Sequence, residues 1–230
     1  MGRVVAIIAA AGRGVRLGQR KQLLDLCGRP VLAWCLETFA QSPLVDDVIV
    51  ACEADEVAAC EQLARRLCAA KLRAVVRGGE RRQDSVLAGL RSAPPGTEFV
   101  IVHDGARPFV TGSMIERVLA AARKSGASIV GVAVKDTIKQ IGEGGTVMRT
   151  IPREQLAAAQ TPQAFAFDVL YKAYTAAEAE GFVGTDDAML VEWAAAAQVI
   201  IVEGSNENLK ITTPADLMLA EQVARARKGP

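Results

Sequence analysis

Short, almost uninterrupted apolar runs alternate along the chain with longer segments in which apolar residues recur at helical spacing. The runs predict buried strands and the longer segments predict helices. Strands that are apolar on both faces and separated by helices are typical of a mostly parallel sheet covered on both sides, so we expect a Rossmann-like α/β fold with right-handed crossovers. The predicted strands are residues 4–10, 47–52, 72–76, 99–103, 128–134 and 199–202, and the predicted helices are residues 30–40, 54–70, 82–92, 113–124, 167–180, 186–196 and 214–227.

The alternation of strands and helices stops after residue 134. Residues 136–141 and 146–151 flank a glycine-rich segment and mix polar with apolar side chains, which predicts a β-hairpin. This mixed pattern favours an arm, about residues 136–151, that projects from the sheet. A two-stranded hairpin alone is only marginally stable in water, so we expect the arm to pack on a second copy of the chain.

Length and composition narrow the class of protein. A chain of 230 residues and 24.3 kDa fits one domain, residues 1–230, with the arm as an appendage. The hydrophobic share of 50% is enough for a core and excludes a largely disordered chain. The formal charge of +1 argues against a general nucleic-acid binder, and the aromatic share of 4% is too small for a base-stacking surface.

Cysteine positions and the lengths of the apolar runs bear on the compartment. The 5 cysteines all fall in the first third of the chain, and no Cys-x-x-Cys spacing occurs. We therefore expect buried thiols in a reducing compartment rather than a disulfide framework or a zinc site. No apolar run approaches the roughly 20 residues that a membrane span needs, so the sequence predicts a cytoplasmic protein without a membrane partner.

The loop after the first strand carries the clearest indication of chemistry. In open α/β sheets, ligands bind beyond the carboxyl ends of the strands. Residues 12–21 combine three glycines with four basic residues, among them Arg16 and Lys21. Leu17 breaks the dinucleotide-binding fingerprint, and the Gly-Lys-Ser/Thr of a P-loop is absent. The loop therefore favours phosphate binding by backbone N–H groups and cationic side chains over an ordinary surface turn.

A glycine pair follows the third predicted strand. Gly78 and Gly79 leave backbone groups open that suit reading the edge of a base. Asp84 and Ser85, which come shortly afterwards, equally fit the start of a helix. On the residues alone, both interpretations stay open.

Charged residues follow the fourth strand and precede the last helix. Asp104 ends an apolar strand, where a carboxylate needs either a hard cation such as Mg²⁺ or a salt bridge, for which Arg107 is near in sequence. His103 is the only histidine, so poly-histidine metal sites are excluded, and we expect it to be a hydrogen-bonded structural residue. Lys210 is expected in a short apolar strand after a polar loop, where by itself it fits a solvated lysine.

Eight segments in this order carry a resemblance to a known family. Together they are similar to the 2-C-methyl-D-erythritol 4-phosphate cytidylyltransferases of the non-mevalonate isoprenoid pathway, from about residue 4 to the last helix. Each segment alone is modest, whereas all eight at compatible spacing are specific. The segments are AAGRGVR (10–16), KQ (21–22), GGERRQDSV (78–86), HDGARP (103–108), DT (136–137), TPQ (161–163), TDDA (185–188) and ENLKITTPADL (207–217).

The resemblance implies a fold of the nucleotide-diphospho-sugar transferase type, a homodimer formed through the arm, and a transferase that uses CTP and Mg²⁺. Such enzymes move CMP from CTP to the phosphate of methylerythritol phosphate and release pyrophosphate. Matching positions imply catalytic roles for Arg16, Lys21 and Lys210 and a metal contact for Asp104. They imply nucleotide contacts for Ala10, Ala11, Gly12, Gly14, Gly79, Glu80, Ser85 and Gly105, and acceptor contacts, some from the other subunit, for Thr137, Arg153, Thr161 and Thr185.

The chain departs from the family pattern in the loop after the first strand and next to Asp104. Arg20 stands where the family usually has Pro, and the loop is about two residues shorter, so Arg20 competes with Lys21 for the phosphate-binding role. Gly105 stands where Ala is also common, which a backbone contact tolerates.

Other functions stay open on the sequence alone. A sister cytidylyltransferase for another polyol phosphate, such as ribitol 5-phosphate, has the same nucleotide half and differs in its acceptor. An enzyme for a sugar 1-phosphate or a molybdopterin prefers another nucleotide, and a nucleotide-binding regulator shows no turnover. A nicotinamide oxidoreductase is disfavoured because Leu17 breaks its fingerprint.

Overall fold

The computed structural model describes residues 2–12 and 22–228. The strands in this part of the chain are β1 (Arg3–Ala10), β2 (Asp47–Cys52), β3 (Leu72–Arg77), β4 (Thr97–Asp104), β5 (Ala127–Ala133), β6 (Ile138–Ile141), β7 (Val147–Ile151), β8 (Ala157–Ala166) and β9 (Val199–Glu203). The helices are α1 (Val31–Gln41), α2 (Val57–Cys68), α3 (Arg82–Arg91), α4 (Gly112–Ser125), α5 (Phe167–Glu180), α6 (Asp187–Trp193) and α7 (Pro214–Lys228). None of these helices has the length and apolar character required to cross a membrane.

One large sheet organises the fold, with its strands in the order β3-β2-β1-β4-β8-β5-β9. β1 pairs in parallel with β2 and β4, β2 pairs in parallel with β3, and β5 pairs in parallel with β9. β8 runs antiparallel to both β4 and β5. The mostly parallel α/β fold predicted from the sequence is confirmed. Parallel pairing brings the carboxyl ends of β1, β2 and β4 to one edge of the sheet, where ligands bind in such folds.

The sequence pattern does not predict β8, and its composition explains why. The segment AAAQTPQAFA is rich in alanine and carries a proline, which cannot donate to a strand ladder. The pairing of β8 with β5 skips Thr161 and Pro162, which form a bulge, so the proline needs no partner there. The bulge also places Thr161 beside the end of β4, where its side chain accepts a hydrogen bond from Asp104 N–H.

Helices cover both faces of the sheet because alternate residues of each strand point to opposite sides. In β1, Val4 and Ile8 pack with α1, α2 and α4, whereas Val5 and Ile7 pack with α3, α5 and α6. Gly89 lets α3 approach the sheet closely, since a Cβ at that position would lie 2.6 Å from Ile7 Cγ2. Each buried Val or Ile side chain stabilises the fold by about 1.5–3 kcal/mol. This core holds the edge of the sheet that carries the site.

The hairpin predicted after residue 134 is present. β6 and β7 pair antiparallel as a separate two-stranded sheet. Ile141, Val147 and Met148 on this hairpin are 67%, 61% and 65% exposed. Large apolar side chains exposed together on one element are typical of an interaction surface.

Candidate active site

A cavity of about 310 Å³ opens at the carboxyl edge of the sheet. Its walls come from the ends of β1 and β4, the start of α3 and the segment that precedes α7. Some of its lining residues are predicted from the sequence, and others are not. The predicted ones are Ala11, Gly12, Glu80, Ser85, Asp104 and Lys210, and the others are Ala9, Gln22, Arg82 and Ala106.

Asp104, the last residue of β4, is the centre of a cluster of cationic side chains. Arg82 Nε donates to its Oδ1 at 2.8 Å, Lys210 Nζ lies 2.8 Å from its Oδ2, and Arg107 Nε lies 3.6 Å from Oδ2. Burial alone would raise the pKa of Asp104, but the attraction of Arg82, Lys210 and Arg107 outweighs it and holds the pKa well below its usual range. The carboxylate is therefore ionised. The salt bridge to Arg107 that the sequence suggested exists, but it is longer than the contacts to the other two cations.

A directed chain of hydrogen bonds fixes the backbone of Asp104. Asp104 N–H donates to Thr161 Oγ1 at 3.0 Å, and this hydroxyl lies 3.0 Å from His103 Nδ1. His103 Nε2 lies 3.0 Å from the carbonyl oxygen of Arg107, which only accepts, so Nε2 carries the hydrogen. Nδ1 then accepts from the Thr161 hydroxyl. His103 is fully buried, and burial lowers its pKa to about 4. The prediction of a hydrogen-bonded structural histidine is confirmed.

Lys210 lies in an irregular segment, residues 204–213, so the short strand expected there is wrong. Contacts with the loop after β4 hold this segment in place of strand pairing. Ile211 N–H donates to Ala106 O at 2.9 Å, and Arg107 Nη1 donates to Asn208 O at 2.7 Å. Ile211 is also buried in an apolar cluster with α7. The backbone on both sides of Lys210 is thereby held while its ammonium group reaches the cavity.

The glycine pair lies in the connection between β3 and α3, close to Ala11. A Cβ on Gly78 would lie 2.5 Å from Ala11 Cβ and 2.6 Å from Ser85 Oγ, so only glycine fits. Gly79 N–H donates to Ser85 Oγ at 3.1 Å, and the Ser85 hydroxyl donates to Arg81 O at 3.1 Å. The interpretation of this segment as a helix start is confirmed, because Asp84 Oδ2 accepts from Arg81 N–H at 3.1 Å ahead of α3. Base recognition by the same segment stays a prediction.

A second cavity of about 250 Å³ adjoins the first. Arg82, Asp104 and Lys210 line both cavities, and we call these three residues the shared wall. Predicted acceptor residues in the second cavity are Thr161 and Thr185. The sequence did not assign the other lining residues to a substrate site, although most of them lie inside or beside the motifs HDGARP, TPQ and TDDA; they are Arg107, Ala159, Gln160, Gln163 and Asp186. A motif does not reveal which of its residues faces the cavity, because that depends on pairing between distant segments.

The remaining predicted residues fall into three groups. Ala10 is buried at the end of β1, and Gly105 N–H donates to Ala9 O at 2.9 Å beside the first cavity. Thr137 and Arg153 are exposed at the base of the arm and line neither cavity, and Arg153 Nη1 donates to Lys135 O at 2.7 Å. Gly14, Arg16 and Lys21 lie outside the described residues.

Asp104 is a candidate ligand for Mg²⁺, because its carboxylate lines both cavities. Among residues 2–12 and 22–228, no group of three or more His, Cys, Asp or Glu side chains is arranged to hold a metal ion. Mg²⁺ is usually held by one or two carboxylates together with substrate phosphates and waters. Asp104 supplies one ionised carboxylate that faces both cavities, and its oxygens keep lone pairs beyond those that the cations use. The residues therefore fit a Mg²⁺ ion that arrives with a polyphosphate.

A charged pocket at the carboxyl edge of a mostly parallel sheet is typical of α/β proteins that bind nucleotides, and here a second pocket adjoins it. A sequence profile of the family described as 2-C-methyl-D-erythritol 4-phosphate cytidylyltransferase matches residues 4–226. The chain belongs to this family.

Individual relatives agree with the family assignment. A protein of that name from Geobacter metallireducens is 49% identical over 225 residues, which cover 95% of this chain and 96% of the relative. Another from Pelotomaculum thermopropionicum is 46% identical over 232 residues, covering 100% and 97%. The solved structure of 4-diphosphocytidyl-2C-methyl-D-erythritol synthase from Anaerococcus prevotii matches with a TM-score of 0.88 at 32% identity, over 97% of this chain and 96% of that one. The cytidylyltransferase structure from Thermus thermophilus matches with a TM-score of 0.79 at 37% identity, over 97% and 99%.

Proposed function

We propose that this chain transfers CMP from CTP to 2-C-methyl-D-erythritol 4-phosphate and releases pyrophosphate. Membership of the family supports the reaction, since relatives of that name match over nearly their full length. Within the chain, the observation that carries the proposal is the pair of adjoining cavities with the shared wall of Arg82, Asp104 and Lys210. A transferase that joins two anions needs two binding spaces that meet at cationic groups.

The reaction needs no strong general base. The acceptor phosphate is already ionised, so its oxygen attacks the α-phosphorus of CTP in line while the bond to the β-phosphate oxygen breaks and pyrophosphate leaves. The barrier comes mainly from the repulsion between two anions and from the negative charge of the transition state. Preorganised cations lower this barrier. His103 does not fit the role of a base, because its ring nitrogens are both engaged and its pKa is lowered to about 4.

The shared wall is proposed to stabilise the transferring phosphoryl group. Three cationic side chains, Arg82, Arg107 and Lys210, surround Asp104, and Arg82 is also paired with buried Asp187, so three cations face two carboxylates. The excess of positive charge attracts an α-phosphate to the boundary between the cavities. Lys210 is the more accessible of the two wall cations for a phosphate contact, since 36% of its side chain is exposed against 25% for Arg82.

The first cavity is proposed to hold CTP. In this arrangement Ala10, Ala11, Gly12 and Gly14 lie along the phosphates, Arg16 and Lys21 bind the triphosphate, Gly105 lies near the ribose, and Gly79, Glu80 and Ser85 recognise the cytosine. The Ser85 hydroxyl already donates to Arg81 O, so toward a base it acts as an acceptor. An acceptor suits the amino group of cytosine and not the carbonyl oxygen at the same position of uracil.

Mg²⁺ is proposed to bind with the nucleotide. When bound, it neutralises phosphate charge and polarises the phosphoryl oxygens. Asp104 is the residue of this chain that would hold it. Because cations already surround Asp104, a free Mg²⁺ ion is repelled from the empty pocket, whereas the negative charge of the triphosphate offsets that repulsion.

The acceptor is proposed to bind in the second cavity, with Thr161 and Thr185 among its contacts. Thr137 and Arg153 lie at the base of the arm and line neither cavity of their own subunit. We therefore propose a homodimer in which the arm packs on the partner and brings these two residues to the partner's acceptor cavity. The exposed Ile141, Val147 and Met148 supply apolar contact area for such packing.

Pyrophosphate release tests the proposed reaction. The purified chain is incubated with CTP and Mg²⁺ and with either methylerythritol 4-phosphate or ribitol 5-phosphate as acceptor. Release with the first acceptor and not with the second is expected. Release only with ribitol 5-phosphate would contradict the acceptor assignment and leave the nucleotide site in place. No release with either acceptor would favour a nucleotide-binding regulator. Replacing CTP with UTP in the same assay tests the role of Ser85, which as an acceptor should favour CTP.

The cytoplasm remains the proposed location. Cys35, Cys52, Cys60 and Cys68 are buried thiols that form no disulfide. Buried thiols of this kind are typical of proteins in a reducing compartment.

A further inference from the structure

Arg82 is held by two carboxylates, and only one of them faces the cavities. Its Nε donates to Asp104 Oδ1 at 2.8 Å, whereas Nη1 and Nη2 donate to the two oxygens of Asp187 at 3.0 and 2.7 Å. Asp104 lines both cavities, but Asp187 is fully buried and lines neither. The guanidinium group is thus held by a second carboxylate, that of Asp187, which lines neither cavity.

A buried tyrosine completes the environment of Asp187. Tyr174 on α5 is 1% exposed, and its hydroxyl donates to Asp187 Oδ1. Burial, together with the facing Asp187 carboxylate, raises the pKa of Tyr174 well above its usual range, so the phenol stays a donor. A buried carboxylate is costly unless it is paired and hydrogen-bonded, and the planar fork of Arg82 with the Tyr174 hydroxyl meets both needs.

A second contact ties the same two helix starts together. Gln83, the neighbour of Arg82, donates from Nε2 to Phe182 O at 3.1 Å and accepts at Oε1 from Gly184 N–H at 3.1 Å. Residues 182–184 lead into α6, whose first residue is Asp187. The side chains of Arg82 and Gln83 therefore link the start of α3, next to the first cavity, to the start of α6 and the segment before it.

The geometry points to Asp187, supported by Tyr174, as a positioning residue that holds Arg82 and thereby keeps one oxygen of Asp104 available to Lys210. Arginine prefers to bind a carboxylate with two N–H groups. With Asp187 in place, Arg82 donates both of its terminal N–H groups to Asp187 and makes only one hydrogen bond to Asp104, at Oδ1. Asp104 Oδ2 is then left to Lys210, which lies 2.8 Å away. Without Asp187, the fork turns to both oxygens of Asp104 and displaces Lys210. This inference rests on the proposed function, because it assigns Lys210 to the reacting phosphate.

Asp187→Asn is the direct test, because the amide keeps the size of the side chain and removes its charge. We expect kcat for pyrophosphate release to fall about 10–100-fold, the usual range for residues that orient a contacting group, while KM for CTP changes less than about threefold. Tyr174→Phe should lower kcat in the same direction by a smaller factor. Tyr171→Phe and Glu178→Gln remove matched groups on α5, where Tyr171 stacks on Phe167 and Glu178 pairs with exposed Arg91, and should leave kcat unchanged.

A double-mutant cycle separates positioning from a general loss of structure. If Asp187 acts through Arg82, Asp187→Asn costs no further kcat in an Arg82→Ala background. Wild-type kcat in Asp187→Asn, or a full additional loss in the double variant, would overturn the inference. Should Asp187→Asn fail to fold by circular dichroism, Tyr174→Phe in the two Arg82 backgrounds decides instead.

The proposed function and the inference fail in distinguishable ways. If the wild-type chain releases no pyrophosphate with either acceptor, the proposed function is wrong. The coupling between Asp187 and Arg82 is then tested by urea unfolding of the wild type, both single variants and the double variant. Losses that overlap support the coupling of Asp187 with Arg82, and losses that add in full overturn it.

Discussion

Mild acidification, from pH 7 to pH 5, should destabilise this protein mainly through a single imidazole. His103 is the only histidine of the chain, and in the folded state its pKa is lowered to about 4, chiefly because it is buried. In the unfolded chain an exposed imidazole has a pKa of about 6.5. A group whose folded pKa is depressed stabilises the fold above its unfolded pKa, and this contribution is lost as the pH falls toward the folded pKa. Stability should therefore be intact at pH 7 and fall between pH 6.5 and pH 4.

The size of the effect follows from the two pKa values. The difference between 6.5 and about 4 is about 2.5 units, which at 1.36 kcal/mol per unit gives a limit of about 3.4 kcal/mol below pH 4. At pH 5 the linkage relation gives a loss of about 2 kcal/mol relative to pH 7. Asp104 does not interfere in this range. Its own depressed pKa removes stability only as the pH falls below 3.8, the ordinary pKa of an aspartate.

The assay is urea unfolding at several pH values between 7 and 5, without nucleotide and with a chelator present. The free energy of unfolding of the wild type should fall by about 2 kcal/mol over this range, and that of His103→Gln, which cannot titrate there, should stay nearly constant. The imidazole C2 proton, unique in this chain, gives the folded pKa directly by NMR even if the variant does not fold. A folded imidazole that titrates near 6.5, or a wild-type stability that is flat from pH 7 to 5, would refute the reasoning.

Three further predictions concern the site and the arm. Lys210→Ala should lower kcat for pyrophosphate release about 10²–10³-fold, the scale of one preorganised contact to a developing charge. Lys124→Ala, at an exposed position, should leave kcat unchanged. Equal steady-state kcat values for the two variants would contradict the role of Lys210. Gly78→Ala should raise KM for CTP by about tenfold or more, because the new Cβ would lie 2.5 Å from Ala11 Cβ, whereas Gly112→Ala meets no atom within 4 Å and should match the wild type in a CTP titration. Met148→Glu puts a charge on the 65% exposed apolar side chain of the arm and should shift a wild-type dimer toward monomer in light scattering, and a variant that stays fully dimeric would count against the arm as the interface.

Much of the fold could be predicted because it depends on local pattern. The apolar runs that became β1, β2, β4 and β5 are largely buried on both faces, so their composition alone distinguishes them from amphipathic helices. β3 and β9 are apolar runs as well, but they lie at the edges of the sheet and stay partly exposed. β8 could not be predicted in the same way. Its alanines, glutamines and proline have little strand preference. It forms a strand because it pairs with β4 on one side and β5 on the other, with Pro162 placed in a bulge.

The site divides along the same line. Asp104, Lys210, Ser85 and Gly12 could be picked out, because they follow predicted strands or belong to recognisable motifs, and the structure places all of them around one cavity. Arg82 could not, since nothing in a run of two arginines tells which one turns inward. Arg81 pairs with Asp84 on the surface, whereas Arg82 pairs with buried carboxylates.

By itself, the sequence determined the alternation of strands and helices, the family and the segments from which the site is built, since these follow from residue type and spacing along the chain. Only the tertiary structure decided which side chains meet. Arg82 and Asp187 are separated by 105 positions, and Asp104 and Thr161 by 57. Contacts across such distances depend on how the sheet orders its strands and on which polar groups must be paired once they are buried, and no local pattern records either condition.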